Sequence, residues 1–317
     1  MKIRFDAGQQ YQIDAVNAVV DVFDGQRGGF SLDLSLRVGE GPLGDEFNEV
    51  GGTGNLLTLS DETILDNVQG IQERNGIEAA DSLDGMNFTV EMETGTGKTY
   101  VYLRTIHELH KRYGFTKFVV VVPSVAIREG VFKNLKITRE HFRSLYDNTP
   151  FDYWAYDSRR VTSLRQFATS NQLQILVMNI DAFNKASNVI HQEIDRMAGR
   201  RPIEFVRAAV PIVVVDEPQN MESEQSRNAI EGLNPLCTLR YSATHRNLYN
   251  LVYRLTPVDA HELGLVKQIE VDSVLDEPDY NQPFVRVEEI KTANQKVAGS
   301  SPAERARETP RFAGKSW

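Results

Sequence analysis

Three short clusters hold residue types that do chemistry when spaced as they are here. The first is METGTGKT, Met92 to Thr99. Gly95 and Gly97 let the chain turn tightly enough for the N–H groups of the Thr94–Gly97 stretch, Thr96 included, to face phosphate oxygens at a helix start. Lys98 then reaches the β- and γ-phosphates of a nucleoside triphosphate, and the Thr99 hydroxyl ligates Mg²⁺. The general P-loop pattern has glycine at its first position, where this chain has Met92. A second Gly-rich stretch, GGTGN at Gly51 to Asn55, carries no lysine or hydroxyl where phosphate and metal need them, and reads as a turn.

The second cluster is DEPQ, Asp216 to Gln219, directly after the apolar run PIVVV. Alone, an acidic pair before proline also reads as a solvated strand end. Beside a P-loop, Asp216 is placed to hold Mg²⁺, mostly through water, and Glu217 to orient and deprotonate the attacking water. The third is SAT, Ser242, Ala243 and Thr244, a small hydroxyl-bearing loop expected to hydrogen-bond the DEPQ carboxylates and pass on the state of the γ-phosphate. Asp216, Glu217 and Lys98 form the expected catalytic set, and ATP and Mg²⁺ the expected cofactors.

Weaker signals receive structural readings. Cys237, the single cysteine, forms no internal disulfide and reads as a small core residue. His107 and His110 lie three apart on a helix without further ligands, so a solvated face is expected rather than a metal site. Pro278-Asp279 with Glu289 and Lys291 has the form of a nuclease metal site, but is short, degenerate and without a convincing strand pair.

Positioning these clusters requires strands that end beside one another. NFTVEM, KFVVVVP, QILVMN, PIVVVDE and CTLRYSAT are apolar runs of the kind buried on both faces of a parallel sheet, separated by lengths suited to crossover helices. One such helix shows in the stripe Tyr102, Ile106, Leu109, Tyr113. The expected fold class is therefore α/β: a RecA-like P-loop NTPase lobe, a mostly parallel sheet with helices on both faces, plus an inserted β-rich segment. Residues Gln9 to Phe23 place Ile13, Val16, Val20 and Phe23 on one helical face. The expected organisation is an N-terminal helix over 1–24, an insertion over 25–87 with the alternating strand-like FSLDLSLRV, the ATP-binding lobe over 88–266, a connector over 267–295 and a disordered tail over 296–317, whose abrupt start fits a truncation, an out-of-frame ending or a natural flexible tail.

Composition sets outer limits. At 317 residues with 41% hydrophobic content the chain closes a sizeable core, and it has no apolar run of membrane-spanning length and no apolar leader, so a cytoplasmic location is expected. A formal charge of −9 argues against nucleic-acid binding by bulk electrostatics; any DNA contact must be local.

Together, METGTGKTYVYLRT, VVPSVAIREG, ILVMNIDAFNK, DEPQ and YSATHR with the following LVYRLTPVDAHELGLVKQIEVDSV resemble the Res subunit of type III restriction endonucleases over roughly residues 1 to 293. DEPQ is the most family-specific piece, and the wider superfamily-two motors commonly replace the first P-loop glycine while keeping GTGKT. The resemblance implies an ATP-dependent motor that translocates on duplex DNA, works with a modification methyltransferase subunit, cleaves unmethylated DNA and needs Mg²⁺. It further implies that Gln12 reads adenine and that Ser124 and Arg128, in Pro123 to Gly130, grip a DNA strand backbone. Motors of this kind close ATP between two lobes, the second supplying arginines. No Gln-x-x-Gly-Arg-x-x-Arg sequence follows SAT, and the GRR at Gly199 to Arg201 lies before DEPQ, so hydrolysis by this chain alone is expected to be slow or absent. Two alternatives remain open: a non-catalytic remnant that binds ATP or DNA, and another helicase-type repair ATPase of the same superfamily.

Overall fold

The computed structural model describes residues 5–28, 32–33, 53–197 and 199–266. The apolar runs do become strands. β-branched residues favour the pleated backbone, and burying both faces removes the need for polar alternation. After a two-residue antiparallel pair, β1 (Leu32–Asp33) with β2 (Thr53–Gly54), come β3 (Asn87–Met92), β4 (Lys117–Val122), β5 (Phe151–Ala155), β6 (Leu173–Asn179), β7 (Ile212–Asp216), β8 (Cys237–Ser242) and β9 (Leu251–Leu255). These last seven form one sheet in the order β5-β6-β4-β7-β8-β3-β9, every neighbouring pair parallel.

Successive residues of the central strands feed different cores. On β4, Phe118, Val120 and Val122 enter one cluster and Val119 and Val121 the other; on β7, Ile212 and Val214 oppose Val213 and Val215 in the same way. The first face is covered by α1 (Gln10–Val20), α2 (Asp61–Arg74), α3 (Lys98–Tyr113) and α4 (Val125–Leu145). The second is covered by α5 (Ser163–Thr169), α6 (Pro202–Ala208) and Ile230 of α7 (Glu224–Glu231). A short helix, α8 (Pro257–Glu262), starts at a capping box between Thr256 and Asp259.

Several expectations change. The segment 25–87 was expected to be β-rich, yet the longest element of its described part is the helix α2, whose Ile64, Val68 and Ile71 join the first core. Its N-cap Ser60 accepts from Thr63 N–H. The first helix ends at Val20 and passes into a 3₁₀ turn, Asp21–Phe23; its buried face is centred on Gln12, Ala15, Val16 and Val19, leaving Ile13 at the margin. The GGTGN stretch was expected to be a turn, yet its described part is β2 followed by Asn55. Asn55, buried, donates its amide to the carbonyls of Lys117 and Val210 at 2.8 and 3.1 Å and accepts from Thr116 N–H at 2.8 Å, fastening the start of β4. FSLDLSLRV falls almost wholly outside the described residues, as do the connector, the Pro278 to Lys291 pattern and the tail.

Candidate functional site

The parallel order brings the carboxyl ends of β3, β8 and β7 together, and each ends in one of the three motifs. The chain leaves β3 at Met92, turns through Gly95 at φ +86° and Gly97 at φ +94°, and enters α3 at Lys98. Both conformations suit glycine. At Gly97 there is a second reason: a Cβ there would lie 2.7 Å from Gln12 Nε2. Gln12 donates to the Thr96 carbonyl at 3.1 Å, and the Tyr11 hydroxyl does so at 3.0 Å, so α1 braces the P-loop from outside. Thr96 itself turns inward and is buried, its hydroxyl and its N–H both donating to Glu93 O at 2.7 and 3.3 Å, so of the P-loop residues expected at the phosphates it is the one that does not line the cleft.

Lys98 Nζ donates to Met92 O at 3.3 Å and stands 3.4 Å from Glu217 Oε1. Glu217 occupies a left-handed conformation, φ +56°, held by its N–H donating to Tyr241 O at 2.9 Å across to β8. Its Oε2 accepts from Gln219 Nε2 at 2.7 Å and lies 3.0 Å from Ser242 Oγ, which is also 2.8 Å from Gln219 Oε1 and accepts from Thr244 N–H at 3.1 Å. Ser242 is fully buried, Ala243 half-buried and Thr244 exposed. The expected contact between SAT and DEPQ is thus direct, with Gln219 closing the triangle.

Asp216 is buried beside this triangle. Burial, then the neighbouring Glu217 charge, pushes its carboxyl up to about 6, while Lys98 and the Tyr102 hydroxyl, donating at 3.3 Å, pull the other way. A carboxyl that resists ionisation in a site with a single nearby ammonium is electrostatically short of positive charge, which is what a divalent cation supplies. Asp216, Glu217, Lys98, Thr99, Thr94, Gly95, Gly97 and Gln12 all line one cleft of about 740 Å³, joined by Phe5 and Tyr100. Sequence reasoning placed Tyr102 only in an apolar stripe and overlooked Tyr11, Tyr100 and Phe5; a hydroxyl on a buried stripe is the signal that marks Tyr102.

Ser124 and Arg128 lie apart from this cleft. Ser124 caps α4, accepting from Ile127 N–H at 3.3 Å, and Arg128 lines a different cleft at the sheet edge. His107 is not on a solvated face. It is buried against Phe142, Tyr146 and Phe151, and burial, aided by His110, lowers it to about 3; His110 bonds Phe115 O at 2.8 Å. Among the described residues no group of three metal-binding side chains occurs. Cys237 is buried in the first core, its thiol pushed well above the usual range. Arg201 of the GRR precedes α6, its guanidinium 3.7 Å from Glu193. No helix of the described residues is long and apolar enough to cross a membrane.

A model of the family "Type III restriction enzyme, res subunit" matches residues 7–247. The chain is 33% identical over 238 residues to the EcoP15I Res subunit of Escherichia coli, covering 67% of this chain and 24% of that one. It is 28% identical over 288 residues to the EcoPI Res subunit of Escherichia phage P1, covering 84% and 28%. It is 31% identical over 224 residues to the StyLTI Res subunit of Salmonella typhimurium, covering 59% and 23%. The chain thus spans about a quarter of the length of these relatives. Among solved structures, the DUF1998 helicase MrfA is similar at a TM-score of 0.38 and 14% identity over 60% of this chain and 32% of its own. The UvsW helicase of bacteriophage T4 is similar at 0.34 and 13%, over 63% and 68%; scores this low say nothing of function. The matched family model covers all three motifs, and the chain belongs to the type III restriction enzyme Res subunit family.

Proposed function

We propose that this lobe binds ATP with Mg²⁺ and serves as the nucleotide-reading half of a DNA motor. The observation that carries the reading is the meeting of Lys98, Asp216, Glu217 and Ser242 at the carboxyl ends of three adjacent strands, with the Lys98–Glu217 pair at 3.4 Å. The P-loop N–H groups and Lys98 hold the β- and γ-phosphates, and Thr99 and Asp216 hold Mg²⁺, which when bound offsets the negative charge of phosphates and carboxylates. Glu217 takes the proton from the attacking water. Phosphate drawn to Lys98 competes with Glu217 for it, and because Glu217 is tied to Ser242, any movement reaches the SAT loop and the residues beyond.

Since the chain spans about a quarter of its curated relatives, translocation on duplex DNA, DNA cleavage and pairing with a modification methyltransferase subunit belong to the proposed whole assembly. Ser124 and Arg128 are the proposed DNA backbone contacts of this lobe. The test is MgATP binding by calorimetry and phosphate release by the purified chain, with and without duplex DNA. Binding with slow or absent turnover is expected, as no Gln-x-x-Gly-Arg-x-x-Arg sequence follows SAT; failure to bind MgATP overturns the reading.

A further inference from the structure

A second cleft, about 900 Å³, opens at the sheet edge over the carboxyl ends of β5 and β6, and nucleotide binding leaves it without a task. Trp154 on β5 and Tyr156 just after it line it, Arg128 and Phe132 come from α4, and Asn179 ends β6. Seven buried side-chain nitrogen or oxygen atoms among the described residues have no hydrogen-bond partner. Three of them, Arg128 Nε, Trp154 Nε1 and Tyr156 Oη, belong to residues of this one cleft, and none belongs to the nucleotide cleft. An orphaned buried donor is costly, so three of them on residues that line one cleft favour a ligand that brings acceptors as these side chains turn toward it. All three are able to donate, and Arg159 and Arg160 stand exposed at the same cleft, which favours an anion.

The carboxylates present do not fill that role. Glu129 accepts from Arg128 Nη2 at 2.9 Å and Asp157 from Arg159 Nε at 3.1 Å, and neither reaches the three orphaned atoms. Aromatic walls argue against inorganic phosphate alone. Donors set beside indole and phenol rings match a phosphate joined to a planar base. In an intact duplex the base faces are stacked inside, so rings in a pocket gain a partner only from a nucleotide that is unpaired.

We propose that this cleft takes one unpaired nucleotide of a single DNA strand, with phosphate against Arg128 and Tyr156 and base against Trp154. The inference rests on the DNA-contact reading of Arg128 and extends it from backbone grip to base capture. α4 carries the link to ATP: Arg128 and Phe132 face this cleft, whereas Ile127 and Asn134 line the nucleotide cleft.

The chain has two tryptophans, Trp154 and Trp317, so Trp317→Phe leaves Trp154 as the sole indole reporter. With that variant, a dye-labelled oligo(dT) and a blunt duplex are titrated separately, following anisotropy for binding and tryptophan emission for site occupancy. Quenching by the single strand and not by the blunt duplex is expected. Trp154→Ala should weaken single-strand binding roughly 5- to 100-fold, Trp154→Phe should largely restore it, and MgATP binding should be unchanged in both. Tyr156→Phe is the sharper variant: removing an orphaned buried hydroxyl should raise the melting temperature while lowering strand affinity, a combination that a purely structural role does not give.

Single-strand binding seen by anisotropy, with Trp154 emission and the Trp154→Ala affinity both unchanged, overturns the proposal and leaves the DNA reading standing. Equal quenching by blunt duplex, or by poly-glutamate, also overturns it, because the cleft would then read a backbone or any polyanion. Absence of all DNA binding removes the DNA reading as well.

Discussion

The two clefts flank the same helix and solve opposite problems. In the nucleotide cleft the charged and polar groups are already committed to one another: Lys98 to Met92 O and Glu217, Glu217 to Gln219 and Ser242, Gln12 to Thr96 O. In the edge cleft Arg128 Nε, Trp154 Nε1 and Tyr156 Oη have no partner. A ligand entering the first must exchange bonds, so its arrival changes the protein; a ligand entering the second adds bonds, so its arrival mainly gains affinity. The first arrangement suits a switch and the second a grip, and α4, which contributes side chains to both, is where one bears on the other.

Breaking the switch chemically, without emptying it, gives the largest expected effect. Glu217→Gln keeps the bonds to Gln219 and Ser242 available and removes the base, so MgATP affinity should hold within about threefold while turnover falls roughly 10²- to 10⁴-fold. Normal turnover in that variant would show that another group takes the proton. Lys98→Ala removes the pivot. Nucleotide affinity should drop on the order of 10²-fold, the worth of charge-assisted bonds to phosphate, with the fold intact by circular dichroism. Unchanged ATP affinity by calorimetry would remove the P-loop from the site.

The switch was legible in the sequence and the grip was not, for a physical reason. METGTGKT, DEPQ and SAT each pack their chemistry into a few contiguous residues, because backbone N–H groups and strand ends do the positioning. The five central strands were legible as short, mainly apolar runs between longer mixed segments, whereas edge strands β5 and β9, FDYWA and LVYRL, are only five residues each and mix aromatic and charged residues. The edge cleft draws Arg128 from one element and Trp154 and Tyr156 from another, and only the packing of α4 beside β5 joins them. α2 was masked differently: Ile64, Val68 and Ile71 hold helical spacing, but acidic and polar neighbours dilute it. His107 was misread because it lies off the stripe facing the sheet, and α4 covers that flank with Phe142 and Tyr146.

That histidine offers a way to loosen the joint between the clefts, since it sits where α3, which begins at the P-loop, meets α4. Its folded value, about 3, lies below the ordinary 6.5. The unfolded chain therefore binds a proton that the folded one refuses, and this contribution to stability, complete above pH 6.5, is lost as pH falls toward 3. By pH 5 the loss is about 2 kcal/mol. His107→Leu should flatten the fall in urea-unfolding stability between pH 7 and pH 5; an unchanged pH profile would place the acid sensitivity elsewhere.

The smallest effect separates two roles for one residue. Ser124 starts α4, and its hydroxyl accepts from Ile127 N–H at 3.3 Å, so the structure gives it a cap while the family resemblance gives it a phosphate. Ser124→Ala removes the cap, which should cost about 1 kcal/mol and lower the melting temperature by roughly 2–4 °C. If capping is its whole contribution, DNA affinity should fall by less than about threefold, because the helix N-terminus still presents its N–H groups to an anion. A tenfold or larger loss with the same small stability change would make the hydroxyl itself a strand contact, extending the grip from Arg128 along the first turn of α4 toward the nucleotide cleft.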